Sequence, residues 1–319
     1  MFPISKKYYS VALLLGFAGV ACAQEAQECK QIRLADIGWT DNAANNGVTI
    51  AVARAIGYEP KTTQVSAPIA FISLHKDDLD VFLDYWSPAL DSVAKPMIEA
   101  GKVSLLETPN LTGARYTLAV PNYLAEKGLR SFQDLAAFKE ELGGKIYGIE
   151  SGSGGNSVIK KMISENMYDL SNFKLIESSE TAMRMEVARA VKHEAPIVFL
   201  AWAPHPMNIE LPLTYLSGGD AAFGPDYGSA TVYSVQSVKF PQRCPNAARL
   251  ISNMKFDVNM ESELMGDILA KKDPVESASA WIARNPQWLD TWLDGVKTFE
   301  GNDAKAAAIA HFEALAKAD

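Results

Sequence analysis

The sequence predicts an α/β protein of two lobes, each built on a doubly wound, mainly parallel sheet. Three observations carry that prediction. The chain has 319 residues, enough for two domains with cores of their own. Apolar runs of strand length alternate with segments of helical period, first over residues 32–85 and again over 146–200. That order builds parallel strands with helices on the sheet faces. Beyond an N-terminal leader only two cysteines remain, Cys29 and Cys244, near opposite ends of the chain. In an oxidising compartment such a pair is expected to bridge. The bridge is easy when both chain ends form one lobe and the middle forms the other. We therefore expect lobe I over 24–112 plus 223–319 and lobe II over 113–222.

The leader comes first. Lys6-Lys7, an apolar run from Tyr8 to Ala21, and Ala21-Cys22-Ala23 together read as a signal peptide over 1–23, cleaved after Ala23. Its run is shorter than the ~20 residues that span a bilayer. The alternative is a lipoprotein anchored through Cys22, which Gly19 disfavours. Cleavage predicts an exported, periplasmic product and changes the formal charge from −8 to −10. An acidic balance disfavours nucleic acid and anionic lipid as partners and mildly favours a cation.

Ile32-Arg33-Leu34 opens a strand that ends near Gly38, and a helix from about Asn42 to Ile56 stops at Gly57. Tyr58 to Val65 reads as a strand, Ser66 to His75 as a helix with Pro68 in its first turn, and Leu79 to Tyr85 as a strand. Tyr116 to Val120 can cross between lobes. Ser131-Phe132-Gln133-Asp134 has the pattern of a capping box, predicting a helix that ends before Gly143-Gly144. Strand Ile146–Ile149, the loop Ser151 to Asn156 and a helix to about Met167 follow. Strand Phe173–Ile176, a helix over 180–193 and the run Ile197-Val198-Phe199-Leu200 complete the second unit. Residues 217–228 are rich in turn formers, and Thr231 to Val238 alternates like a returning strand. From Asn246 the chain reads helical, with Trp281, Trp288 and Trp292 at core spacing.

Catalytic patterns are missing. The four histidines, His75, His193, His205 and His311, show neither H-x-x-x-H nor H-E-x-x-H spacing, which argues against zinc. Two residues before Ser153 stands Ser151, where a nucleophile elbow carries glycine. The glycine loop lacks the Lys-Ser/Thr of a phosphate loop. No enzyme and no cofactor are expected.

Aromatic residues supply the stronger signal. Trp39, Trp86 and Trp202 each sit where an apolar strand runs into turn chemistry: Gly38-Trp39-Thr40-Asp41, Trp86-Ser87-Pro88 and Trp202-Ala203-Pro204-His205. Ligands of open α/β sheets bind at the carboxyl ends of strands. Any one indole is accounted for by core packing; three at strand ends suggest a shared cleft. A trimethylammonium group has no N–H to donate, so aromatic faces select it, each contributing ~0.5–2 kcal/mol. With Tyr116, these rings form a candidate box. Asp41 either caps the following helix or supplies a counter-charge, in which case it favours choline over betaine, whose carboxylate it repels. Asn156 either caps its own helix or faces a ligand hydroxyl. Gly155, Arg115 and His205 are candidates for secondary contacts.

These residues also resemble a known family. Gly38-Trp39-Thr40-Asp41, Asp84-Tyr85-Trp86-Ser87-Pro88, Ala114-Arg115-Tyr116, Gly154-Gly155-Asn156-Ser157 and Trp202-Ala203-Pro204-His205 are similar to motifs of the periplasmic binding proteins for quaternary amines, in particular the choline-binding branch. The resemblance spans nearly all of the chain after the leader. It implies a two-lobed binding protein of the type II, cluster II class that closes on its ligand and serves an ABC transporter permease. It implies an aromatic box at Trp39, Trp86, Tyr116 and Trp202, with Asp41 beside the cation and Asn156 at the choline hydroxyl. The expected cargo is choline, with acetylcholine as a further candidate. Betaine receptors share the box but meet a carboxylate with donors, and Arg115 and His205 keep that reading open. A monomer is expected.

Overall fold

The computed structural model describes residues 25–317. The expected leader, including Cys22 and the cleavage site after Ala23, lies outside those residues. Ten strands are present among them: β1 (Arg33–Asp36), β2 (Lys61–Gln64), β3 (Val81–Ser87), β4 (Ser104–Leu105), β5 (Leu111–Pro121), β6 (Lys145–Tyr147), β7 (Lys174–Ile176), β8 (Phe199–Ala203), β9 (Leu213–Tyr215) and β10 (Ser229–Gln236). They join in one path, β2-β1-β3-β10-β5-β8-β6-β7, with β4 on β10 and β9 on β5. The two ends of this path are parallel: β1 with β2 and β3, and β6 with β7 and β8. The middle is antiparallel, because β5 and β10 each cross from one end to the other and pair against β3, β8 and one another. The strand carrying Trp202 is thus parallel to one neighbour and antiparallel to the other.

Six helices matter for the site: α1 (Thr40–Ala55), α2 (Ala67–Lys76), α3 (Asp91–Glu99), α4 (Asn122–Glu126), α5 (Gly154–Ser164) and α6 (Glu180–Lys192). Helix α1 is buried almost all round, since the helices Val258–Leu269 and Pro274–Arg284 pack over the face turned away from the sheet. It starts at Thr40 with Trp39 as N-cap, so Asp41 lies inside the first turn, and no cap bond from the Trp39 side chain is made. Ser66 does precede α2, with Pro68 in its first turn.

One expected element differs. After Ser131 there is a 3-10 turn, Phe132–Asp134, followed by turns up to Gly144. The capping box forms, with Ser131 N–H donating to Asp134 Oδ2 at 2.9 Å. The chain then continues through i→i+3 bonds, such as Leu135 to Phe132 O and Phe138 to Leu135 O. Phe132, Leu135 and Phe138 recur every third residue, a spacing that stacks side chains on a 3-10 turn rather than an α-helix. Buried Phe132 and Leu135 hold the tighter winding.

Cys29 and Cys244 are bonded, with their Cα atoms 5.4 Å apart. The bridge ties the start of the described chain to the segment after β10, closing a loop of 215 residues in sequence separation. Beyond it, Trp281 and Trp292 are buried, and Trp288 stacks on Trp292 with ring centroids 5.4 Å apart. These tryptophans are core, far in sequence from the strand-end set.

Candidate functional site

The carboxyl ends of β1, β3 and β8 and the middle of β5 point toward one place between the two ends of the sheet. A cavity lies there, lined by Trp39, Asp41, Trp86, Ala89, Tyr116, Ile149, Gly154 and Trp202. The register explains the convergence. Tyr116 on β5 is directly opposite Trp202 on β8, so their rings project from the same face, 6.1 Å apart at 61°. Trp86 reaches the same ring from β3, 6.0 Å from Tyr116 at 50°. Trp39 enters from the turn between β1 and α1. All four rings are at most 8 % exposed. Cis peptides before Pro88 and Pro204 follow Trp86 and Trp202 by one residue, giving the two halves matching Trp-x-Pro turns.

Asp41 is the polar group of the wall. It is 1 % exposed, and its Oδ1 has no hydrogen-bond partner among the described residues. Burial pushes its carboxyl well above the usual range, and the charges of Asp84 and Glu180 add to the rise. Leaving that buried oxygen without a donor is costly, so the site is built to receive positive charge.

Carboxylates build the wall from behind, and two of them, Glu150 and Glu180, come from parts of the sequence that carry no motif. Glu150 accepts the Trp39 Nε1–H at 2.6 Å. Asp84 accepts the Trp86 Nε1–H at 3.1 Å. Glu180, at the start of α6, reaches across to the first turn of α1: its Oε2 accepts Thr40 N–H at 2.8 Å, and its Oε1 accepts the Thr40 hydroxyl. His205 donates from Nε2 to the same Glu180 Oε1 at 3.0 Å, while its Nδ1 accepts Met207 N–H at 2.9 Å. That pair of bonds fixes the neutral tautomer. Burial lowers the His205 pKa despite Glu180. Burial works to raise Glu180, but His205 and Thr40 hold it below the usual range. His205 also lies edge-on to Trp202, with centroids 4.9 Å apart, so it braces the box from behind.

The glycine loop comes close to the opposite wall. A Cβ on Gly154 would sit 2.2 Å from the Ala89 carbonyl oxygen, and one on Gly155 would sit 2.2 Å from the Tyr116 hydroxyl. Gly155 N–H donates to that hydroxyl at 3.2 Å and sets the ring's tilt. Without these two glycines the halves cannot come together at this distance.

Of the sequence candidates, Trp39, Asp41, Trp86, Tyr116 and Trp202 meet in the wall. Gly155 and His205 lie one layer behind it. Asn156 is placed otherwise than expected: its Oδ1 accepts Ile149 N–H at 3.0 Å and its Nδ2 donates to Ile149 O, Glu150 O and Glu177 Oε1. The amide is therefore committed to clamping the loop that carries Ile149 and Glu150. Arg115 faces solvent on β5, outside the cavity wall. Among the described residues no group of three or more His, Cys, Asp or Glu is placed to hold a metal, and no helix is long and apolar enough to cross a membrane.

The chain resembles known proteins over most of its length. Residues 30–284 match the family model OpuAC, the substrate-binding domain of ABC-type glycine betaine transport systems. A choline-binding protein of an ABC transporter, solved with choline, is 44% identical and superposes with a TM-score of 0.88, covering 90% of this chain and all of the other. The same comparison with an unliganded, semi-closed form gives 0.82. Lactococcal OpuAC in its closed form with glycine betaine is 26% identical, with a TM-score of 0.74 over 82% of this chain and 98% of the other. The glycine betaine/carnitine transport binding protein GbuC of Listeria monocytogenes is 28% identical over 171 residues, 54% of this chain and 56% of that protein.

Proposed function

The chain belongs to the family of substrate-binding domains of ABC-type glycine betaine transport systems, and we propose that its own cargo is choline. One observation carries the choice: an aromatic cavity whose wall holds a buried carboxyl, Asp41, with its Oδ1 left without a donor among the described residues. Four ring faces at ~0.5–2 kcal/mol each supply roughly 2–8 kcal/mol toward a trimethylammonium head. Asp41 at ~4 Å adds about 4 kcal/mol of attraction at an effective dielectric constant near 20. Association costs on the order of 4–15 kcal/mol consume a large part of this and of the methyl burial. Betaine fits the rings equally well, but its carboxylate would meet Asp41, Asp84 and Glu180 with no cation in the wall to answer them.

In this reading the part over 24–112 plus 223–319 presents Trp39, Asp41 and Trp86, the part over 113–222 presents Trp202, and Tyr116 stands on the crossing strand between them. Asn156 acts by holding the Glu150 loop, and a hydroxyl of choline points to Asp41. The chain works as an exported, periplasmic monomer without catalytic activity of its own, cleaved after Ala23, and its ligand-closed form is what the permease reads. Calorimetric titration of the protein with choline, acetylcholine and betaine tests the cargo. Tightest binding of choline, with betaine at least about tenfold weaker, is the expected result; betaine as the tighter ligand overturns it in favour of an osmolyte receptor. Product formation from acetylcholine would overturn the non-catalytic reading.

A further inference from the structure

Two of the three box indoles hand their N–H to a carboxylate outside the cavity wall. Trp86 donates to Asp84, two residues away on its own strand. Trp39 donates to Glu150, 111 residues away on the opposite side of the cleft, at 2.6 Å. The second bond is short enough for a charge-assisted contact. The carbonyl of Glu150 is itself pinned, accepting Ser153 N–H at 3.2 Å and Asn156 Nδ2–H at 3.0 Å. Its side chain is aimed by the loop and is not free to wander.

An anion on an indole N–H does more than hold the ring. It draws the N–H bond toward itself and shifts electron density onto the ring, whose negative face is what attracts a cation. It also places a carboxylate just behind the Trp39 ring that lines the cavity. Both effects act on a charged guest and not on a neutral guest of the same shape. Packing contacts treat the two guests alike.

We propose that Glu150 is a specificity-determining residue that tunes Trp39 for onium ions from across the cleft. The inference rests on the choline reading above and adds to Asp41 a second residue that discriminates charge from shape. Choline and 3,3-dimethylbutan-1-ol, in which carbon replaces nitrogen, are the two probes, since they share a shape and differ by one charge. The variant is Glu150→Gln, whose amide oxygen still accepts the Trp39 N–H while the charge is gone.

The wild type should prefer choline. In Glu150→Gln, choline affinity should fall about five- to tenfold while the neutral alcohol stays within about twofold, collapsing the preference by that factor. Unchanged binding of the neutral probe shows at once that the pocket is intact. Glu150→Ala, which also frees the ring, should weaken both probes. Equal loss for both probes in Glu150→Gln, or no loss for either, overturns the role of Glu150 and leaves the choline reading standing. A wild type that takes both probes alike overturns the choline reading and this inference with it.

Discussion

Replacing Asp41 with asparagine separates two effects of one carboxylate, because they have opposite signs. In the free protein the group is 1 % exposed, and its Oδ1 has no partner among the described residues. Burial, Asp84 and Glu180 hold its pKa well above the ordinary range, so its charge destabilises the fold. Beside an onium head at ~4 Å the same charge is worth about 4 kcal/mol. Ionising a carboxyl whose pKa stands above the ambient pH offsets part of that, by ~1.4 kcal/mol for each pH unit between the two. The net loss in Asp41→Asn is then about 1.5–3 kcal/mol, or a choline affinity roughly 10- to 150-fold weaker. The ligand-free variant should at the same time melt at a higher temperature, because a neutral amide of equal shape replaces an uncompensated acid. Betaine should bind as well as before or better. Titration calorimetry and ligand-free melts measure both quantities. A choline affinity within about threefold of wild type (less than ~0.7 kcal/mol), or weakened binding together with a lower melting temperature, refutes the reasoning.

Gly154→Ala should obstruct closure, since the new Cβ would meet the Ala89 carbonyl oxygen at 2.2 Å. Overpacking of ~1–3 kcal/mol predicts choline affinity lower by about 5- to 150-fold, an unchanged ligand-free melt, and no compaction by small-angle scattering when choline is added. Choline binding should strengthen as pH rises through the raised pKa of Asp41, because the ligand favours the ionised form and its arrival expels the proton. Glu150, Asp84 and Glu180 face the same region, so the proton release belongs to the group; calorimetry in buffers of differing ionisation enthalpy counts it, and tighter binding at low pH would contradict it. Cys29→Ala with Cys244→Ala should cost ~2–5 kcal/mol in denaturant unfolding and leave choline affinity unaltered, since the bridge lies outside the cavity wall.

The rings of the site were legible in the sequence because each closes a strand signal with turn chemistry, and strand ends are where a wound sheet collects side chains. Asp41 was legible by its closeness to Trp39. Glu150 and Glu180 were not: one follows an ordinary strand, the other opens an ordinary helix, and both owe their importance to partners 111 and 140 residues away. No spacing rule reports a contact made across a cleft. Asn156 misled for a related reason. An asparagine in the first turn of a helix behind glycines offers a donor and an acceptor, but the carbonyl and N–H of Ile149 lie nearer than any ligand and take both. The 3-10 winding after Ser131 was written in the three-residue recurrence of Phe132, Leu135 and Phe138, which the capping pattern overshadowed. The antiparallel middle of the sheet depended on β5 and β10 both crossing, and that long-range pairing leaves only a weak local trace.

The contacts between the two ends of the sheet also explain why an empty cleft is a poor imitation of a filled one. Across the cleft Thr40 meets Glu180, Trp39 meets Glu150 and Ala89 meets Gly154, contacts that need no ligand. The same arrangement sets Glu180 against Asp41 and Asp84, each of whose carboxyls it pushes upward. Hydrogen bonds across the cleft favour the closed form, and like charges gathered in a low-dielectric cavity oppose it. A neutral occupant would relieve the hydration of the rings and leave the repulsion in place. A cation relieves both, so the free energy that tips the balance toward closure comes from charge, and the shape of the box alone does not supply it.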